Sequence, residues 1–141
     1  MKRIFSLSII AIAAVITFAC NKDQQVVKQL ASGEWEVTEM TVNGISLPDT
    51  SYSGTNYTFE KCKVSKGACD GVMSAPDPTK GSIDFPFTYT ISDDGQMITI
   101  NMDVFGFPSV ESYHIIEHSN SKFIWETTQD GEEVQTTIEK I

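Results

Sequence analysis

The sequence predicts an all-β fold, a single up-and-down antiparallel barrel of about eight strands, and three observations indicate it. After residue 33, apolar and aromatic residues alternate with polar ones in short runs, which is the period of a half-buried strand. Turn signals such as Asn43-Gly44 and Asp130-Gly131 separate the runs. The second half shows no helical periodicity. Hairpin-linked strands of this number close most simply into a barrel without free edges, and a two-sheet sandwich is the alternative.

The elements follow in order from these patterns. Segments 46–56 and 75–82 contain Pro, Gly, Asp and Ser and are predicted to be loops. The predicted strands are residues 34–42, 57–63, 69–74, 85–91, 96–104, 110–118, 122–128 and 132–140.

The N-terminal residues have the pattern of an export signal. Lys2 and Arg3 precede an apolar run over residues 4–19, which is shorter than the roughly 20 residues that span a bilayer. We therefore expect residues 1–19 to be a signal peptide. Residues 20–32 are predicted to be a polar tether whose end forms one or two helical turns before Gly33, and residues 33–141 the barrel domain.

Residues Thr17-Phe18-Ala19-Cys20 resemble the lipobox of bacterial lipoproteins, in the relaxed form found in Bacteroidota. The resemblance implies cleavage before Cys20, acylation of its sulfur with chains such as palmitate, and anchoring in the outer membrane. An ordinary signal peptide with an incidental Cys20 is the alternative. Lys22-Asp23 resembles a surface-export signal or is plain linker, so either the periplasmic or the cell-surface face is open.

The remaining cysteines, Cys62 and Cys69, flank a segment with a Lys66-Gly67 turn signal. In an oxidising compartment we expect a disulfide between them, which stabilises by roughly 2–3 kcal/mol for so short a loop. A zinc site would need more ligands, and a redox pair has two intervening residues rather than six.

The charge balance argues against nucleic acid as a partner. Without Lys2 and Arg3, residues 20–141 carry 8 cationic and 19 acidic side chains, a net charge of −11. Binding to phosphate backbones needs clustered cations, so we expect a solvated acidic surface instead.

The triplet Gly33-Glu34-Trp35 at the start of the first strand, the hairpin-linked strands and Lys140 near the end resemble the lipocalins, and more closely the small lipocalin-like lipoproteins of Bacteroidota. The resemblance covers residues 30–141. It implies that Trp35 packs across the barrel floor. Lys140 would take the place of the arginine that covers this tryptophan in lipocalins, because residues 20–141 contain no arginine.

Aromatic residues on alternating positions of two predicted strands could line a ligand pocket or simply fill the interior. The segment 105–108, with Phe105 and Phe107, is predicted to be an apolar loop that plugs or covers the barrel, or an exposed patch for a partner. The residues proposed to line a pocket are Phe85, Phe87, Tyr89, Phe123 and Trp125.

The sequence gives little support for catalysis, and we expect no cofactor and no metal. His114 and His118 stand about 13 Å apart on an extended strand, too far to share one ion. No Gly-x-Ser-x-Gly or Cys/His arrangement occurs. The first functional hypothesis is non-enzymatic binding of a small hydrophobic molecule, and the alternative is a filled-core module that binds an envelope protein or glycan.

Overall fold

A computed structural model describes residues 21–141, so Cys20 and the predicted signal peptide lie outside the described residues. The described chain contains one helix, nine strands and two 3-10 turns, Asp49–Ser51 and Val64–Lys66. The helix and strands in chain order are α1 (Asn21–Leu30), β1 (Glu34–Val42), β2 (Ile45–Ser46), β3 (Asn56–Phe59), β4 (Cys69–Asp77), β5 (Gly81–Ser92), β6 (Met97–Val104), β7 (Phe107–His118), β8 (Lys122–Gln129) and β9 (Glu132–Lys140).

The strands form one closed antiparallel barrel. From β3 to β9 each strand pairs with the next, β3 pairs with β1, and β1 also pairs with β9, from Trp35 opposite Lys140 to Val42 opposite Val134. The two-residue β2 only extends the first hairpin, which leaves eight strands in the wall. The predicted barrel is therefore confirmed and the sandwich alternative is wrong, because β1 and β9 close the sheet on itself.

Two-residue turns connect three of the hairpins. Asn43-Gly44 and Asp130-Gly131 both have positive φ at each position, as the sequence predicted for tight hairpins. Phe105-Gly106 forms a third turn of this kind, with φ of 55° and 86°. The four-residue loop expected at 105–108 is therefore wrong, since β7 already begins at Phe107.

The segment 75–82, expected to be a loop, instead continues β4 to Asp77 and starts β5 at Gly81. The Asp77 carboxylate accepts hydrogen bonds from the Thr79 hydroxyl and from the backbone N–H groups of Thr79 and Lys80. These bonds lower the pKa of Asp77 and hold a compact turn. Pro76 is tolerated within the strand because β4 has lost its β3 neighbour by that point.

Residues 21–30 are not a tether. They form α1, and Val26, Val27 and Leu30 on one side of it are buried in the barrel core. Burying side chains of this size contributes roughly 1.5–3 kcal/mol each. The helix is otherwise polar, which explains why the sequence indicated a linker with only one or two helical turns. The folded unit therefore begins before the predicted boundary at residue 33.

Aromatic rings fill the half of the barrel nearest α1. Trp35 and Phe123 meet edge to face at 5.1 Å, and Phe59 meets Tyr89 in the same way at 5.1 Å. The Phe87 ring packs against Gly71, where an added Cβ would come within 2.4 Å of the ring. Gly71 therefore leaves the room that this ring occupies.

The predicted disulfide between Cys62 and Cys69 is confirmed, with the two Cα atoms 5.6 Å apart. It closes a loop that begins where β3 ends at Phe59, so the strand expected over 57–63 is shorter than predicted. Gln24 of α1 fastens this loop to the helix. Its amide donates to the Cys62 carbonyl (2.9 Å) and accepts from the Val64 N–H (3.1 Å).

Candidate functional site

The two ends of the barrel differ. Helix α1 covers the end at which β1 starts, the floor. The β1–β2, β4–β5, β6–β7 and β8–β9 turns surround the opposite end, which we call the mouth. The segment 47–55 lies beside the mouth and buries Tyr52.

Two cavities lie just inside the mouth. The first has a volume of about 150 Å³ and the second about 190 Å³. The first is lined by Val37, Met40, Ser51, Tyr52, Thr55, Tyr57, Tyr113, Trp125, Thr127, Gln129, Val134 and Thr136. The second is lined by Tyr57, Met73, Ile100, Met102, Val104, Ser109, Glu111 and Tyr113.

Tyr57 and Tyr113 separate the cavities, since both line each of them. The ring of Tyr57 stands 6.0 Å from that of Trp125 at 88°, and Tyr113 is 5.9 Å from the same indole. The three rings thus form an aromatic cluster at the boundary between the two cavities.

Glu111 is the only charged residue among those that line the two cavities. It occupies an inward position of β7, opposite Ile100 on β6. Its carboxylate accepts hydrogen bonds from the Tyr113 hydroxyl, the Gln129 amide (3.1 Å) and the Ser109 hydroxyl (3.3 Å). Burial and the Glu111 charge raise the pKa of Tyr57 to about 12. Burial, the hydrogen bond to Glu111 and its charge also raise the pKa of Tyr113, so both hydroxyls stay protonated at neutral pH.

The aromatic residues proposed from the sequence as pocket lining lie at several depths. All five are buried, and of them only Trp125 lines either of the two cavities described above. Phe87, Tyr89 and Phe123 belong to the packed half near α1, and the Tyr89 hydroxyl donates to the Glu60 carbonyl at 2.9 Å. Phe85 lies at the mouth, 5.3 Å from Phe105.

Sequence reasoning missed most of the residues around the cavities. Tyr57 was placed on an alternating strand but not assigned to the site. Glu111 and Tyr113 lie on the predicted strand 110–118, on the same inward face. The available signal was their two-residue spacing, which continues to the buried Ile115.

Phe105 and Phe107 lie at the tip of the β6–β7 hairpin and are 73% and 77% exposed. Because both side chains are mostly exposed, neither fills the interior, although the Phe105 ring packs edge to face against the buried Phe85 ring at the mouth. Val110, on the same strand as Phe107, is 65% exposed. The alternative of an exposed apolar patch matches these positions.

Trp35 and Lys140 lie at the floor, paired across β1 and β9. The Trp35 indole is fully buried and donates to the Leu30 carbonyl at 2.7 Å. The Lys140 side chain runs over Gly33 and donates to the Ser32 hydroxyl at 3.3 Å. Helix α1 completes this floor, which the sequence had assigned to Trp35 and Lys140.

An open groove of about 650 Å³ lies between α1 and the disulfide loop. Four lysines line it, and no residue that lines it is acidic. The groove lies on the outer surface at the floor end, remote from the cavities in the mouth. Its cationic residues are Lys28, Lys61, Lys63 and Lys66.

Within residues 21–141, no cluster of three or more His, Cys, Asp or Glu side chains could hold a metal ion. His114 lies 3.8 Å from Glu126, and the His118 Nδ1 atom is 2.7 Å from the Gln29 amide oxygen. The described residues also contain no helix of the length and apolarity needed to cross a bilayer.

Comparison with known proteins gives structural likenesses only, because neither a scan of family models nor a search of curated proteins finds a match. The structure is similar to a lipocalin-like protein from Bacteroides uniformis, at 19% identity and a TM-score of 0.57, over 80% of this chain and 99% of that one. It is also similar to bovine odorant-binding protein in complex with a selenium-containing odorant, at 15% identity and a TM-score of 0.51, over 82% and 72% of the chains.

A third similar structure is the redesigned β-barrel mFAP1 bound to DFHBI, at 18% identity and a TM-score of 0.50, over 84% of this chain and 99% of that one. At such identities the likenesses show the fold. With its closed eight-stranded antiparallel wall, this chain is a lipocalin-like barrel.

Proposed function

We propose that this protein is an envelope lipoprotein whose barrel binds a small, largely hydrophobic molecule in the mouth cavities, without catalysing a reaction. The observation that carries the proposal is the pair of cavities, which are walled mainly by aromatic, aliphatic and methionine side chains and open at one end of a rigid barrel. Two barrels of similar fold, the odorant-binding protein and mFAP1, were solved with small molecules bound, which supports the same use here.

The cavity volumes restrict the ligand. A cavity of about 150 Å³ accepts a molecule the size of benzene, whereas drug-sized ligands occupy roughly 300–1,000 Å³. Each cavity therefore has room for one ring or a short alkyl chain. A larger ligand would have to displace the Tyr57 or Tyr113 ring that separates them.

Native mass spectrometry of the protein purified from its own host should reveal a co-purified small molecule. A cavity-filling variant, Met102→Trp, should abolish this retention, since Met102 lines the second cavity. Met97→Trp is the matched control, because Met97 lies on the same strand outside the cavity lining and should leave retention unchanged. Equal retention by both variants would contradict binding at the mouth.

The lipid anchor is the second part of the proposal and rests on the sequence around Cys20. We expect Cys20→Ser to release the protein from membranes while the circular dichroism of the barrel stays unchanged. Mass analysis of the wild-type N-terminus should show acyl chains on Cys20. An unmodified thiol at that position would contradict anchoring. Protease added to intact cells, followed by membrane fractionation, distinguishes a protein on the cell-surface face from one on the periplasmic face, because only the former is digested.

A protein or glycan partner is the second candidate function, and the exposed phenyl rings favour it. Phe105 has φ of 55°, a conformation that is uncommon for a bulky residue and costs about 1–3 kcal/mol. Replacing it by Asn, which adopts this conformation readily, should keep or raise thermal stability. If the hairpin tip binds a partner, Phe105→Asn combined with Phe107→Ser should abolish its crosslinking in intact cells, whereas Met97→Trp should not.

A further inference from the structure

Among the residues that line the two cavities, one side chain carries a charge. Glu111 lines the second cavity, and its three hydrogen-bond donors, on Tyr113, Gln129 and Ser109, are neutral groups. None of the ion pairs formed among residues 21–141 includes it. The negative charge in the mouth therefore has hydrogen bonds but no cationic partner on the described part of the chain.

The influence of this charge extends to both cavities. Tyr57 and Tyr113 line each of them, and Glu111 contributes to the raised pKa of both tyrosines. A ligand in either cavity would therefore lie within the negative potential of this carboxylate. In a partly desolvated barrel such a potential is screened less than at an open surface.

The surrounding rings add to the attraction for positive charge. At the boundary of the cavities, the ring centroid of Trp125 lies 6.0 Å from that of Tyr57 and 5.9 Å from that of Tyr113. The faces of such rings attract ammonium groups, most strongly for tryptophan. A carboxylate beside several aromatic rings is the chemistry that recognises an organic cation.

We propose that the ligand is a small amphiphilic cation, a protonated amine or quaternary ammonium attached to a ring or short alkyl chain. This deepens the proposed function and rests on it. The cationic group lies between Glu111 and the Tyr57, Tyr113 and Trp125 rings, and the apolar part occupies a cavity. An anionic amphiphile such as a fatty acid is disfavoured, because its carboxylate would meet a like charge.

The alternative is that Glu111 only braces Tyr113, with no part in choosing a ligand. Ligand selection by Glu111 and mere bracing of Tyr113 predict different effects of neutralising the Glu111 side chain. Glu111→Gln retains the size of the side chain and can still hydrogen-bond its neighbours. It should remove a preference for cations if the charge selects the ligand. If the side chain is only a brace, any effect should fall equally on all ligands.

Three probes of one length test this, hexyltrimethylammonium, 1-hexanol and hexanoate, titrated into residues 21–141, which hold the complete barrel and α1. Binding is followed by the NMR signal of the Trp125 indole N–H. We expect the cation to bind at least about 10-fold more tightly than the alcohol, and the anion more weakly than the alcohol. Glu111→Gln should bring the cation to within about twofold of the alcohol. Glu139→Gln, an exposed carboxylate on β9, is the control and should preserve the ranking.

Each outcome decides the inference. Equal affinity for the three probes overturns it and leaves small-molecule binding intact, whereas binding of none of them contradicts the proposed function as well. A uniform loss of affinity in Glu111→Gln assigns the residue a bracing role and also overturns the inference. The ranking of probes on the unaltered protein decides the matter even if that variant does not fold.

Discussion

Trp35 connects three parts of the molecule at the floor of the barrel. Its indole is fully buried, meets Phe123 edge to face, and donates a hydrogen bond to the last helical residue, Leu30. The strand, the opposite wall and α1 are therefore all in contact with one side chain. Removing this side chain should therefore lower the stability of the whole domain.

We expect Trp35→Ala to lower the free energy of unfolding by about 3–5 kcal/mol, because a large ring leaves the core and the Leu30 carbonyl loses its donor. Trp35→Phe retains an aromatic ring but not the donor and should cost less. Urea denaturation followed by circular dichroism measures both changes. A loss below about 1 kcal/mol for Trp35→Ala would show that this residue is not a central part of the floor.

At the residue scale, alternation along strands predicted the inward orientation of Phe87, Tyr89, Phe123 and Trp125 correctly. It could not predict which of them line a cavity, because depth in a barrel depends on the register between strands. Glu111 was missed for a related reason. A polar residue in an inward position weakens the hydrophobic pattern by which that face is recognised.

At the scale of elements, α1 is the part of the structure that differs most from the sequence prediction, which was a polar tether. Three buried aliphatic residues fix it to the barrel, while every other described position of the helix is polar. The local composition indicates a linker. Val26, Val27 and Leu30 stabilise the helix only because they pack against the floor of the barrel. Pro76 and Pro108 also led to a wrong prediction, because both were interpreted as loop residues. Each lies within a strand, at a position where that strand is paired on one side only.

Leu30→Ala tests the contribution of the helix. Leu30 is fully buried at the floor, so its truncation should cost about 2–5 kcal/mol in urea denaturation. Lys28→Ala on the exposed side of the same helix is the control and should stay within about 0.5 kcal/mol of the unaltered protein. Equal stability of the two variants would mean that the helix contributes nothing to the folded core.

At the scale of the whole molecule, the pKa values of all four tyrosines are raised, chiefly by burial: Tyr52, Tyr57, Tyr89 and Tyr113. A raised pKa in the folded state means that the stabilisation is complete below the unfolded value of about 10 and is lost as pH rises above it. We therefore expect unfolding to set in above about pH 10 and to continue through about pH 12, the pKa of Tyr57.

Circular dichroism and absorbance at 295 nm, recorded across this range, should show unfolding and tyrosine ionisation together. Tyr57→Phe removes one of these four groups and should make stability fall less steeply with pH. Ionisation of all tyrosines near pH 10 in a protein that stays folded would contradict the assignment of these side chains to the interior.

The closed architecture was predictable because the number of hairpins and the absence of helical periodicity left few alternatives. The division of the interior into a filled half and a half with cavities was not, since it depends on where bulky rings fall along the barrel axis.

The position of α1 in the floor also determines the distance between the barrel and a lipid anchor on Cys20. Cys20 immediately precedes a helix of ten residues, about 15 Å long, that is locked into the folded unit. If that sulfur carries fatty chains, no flexible linker separates them from the folded domain. They would therefore hold the floor of the barrel against the bilayer. The opening would then face outward, toward molecules arriving from the surrounding medium.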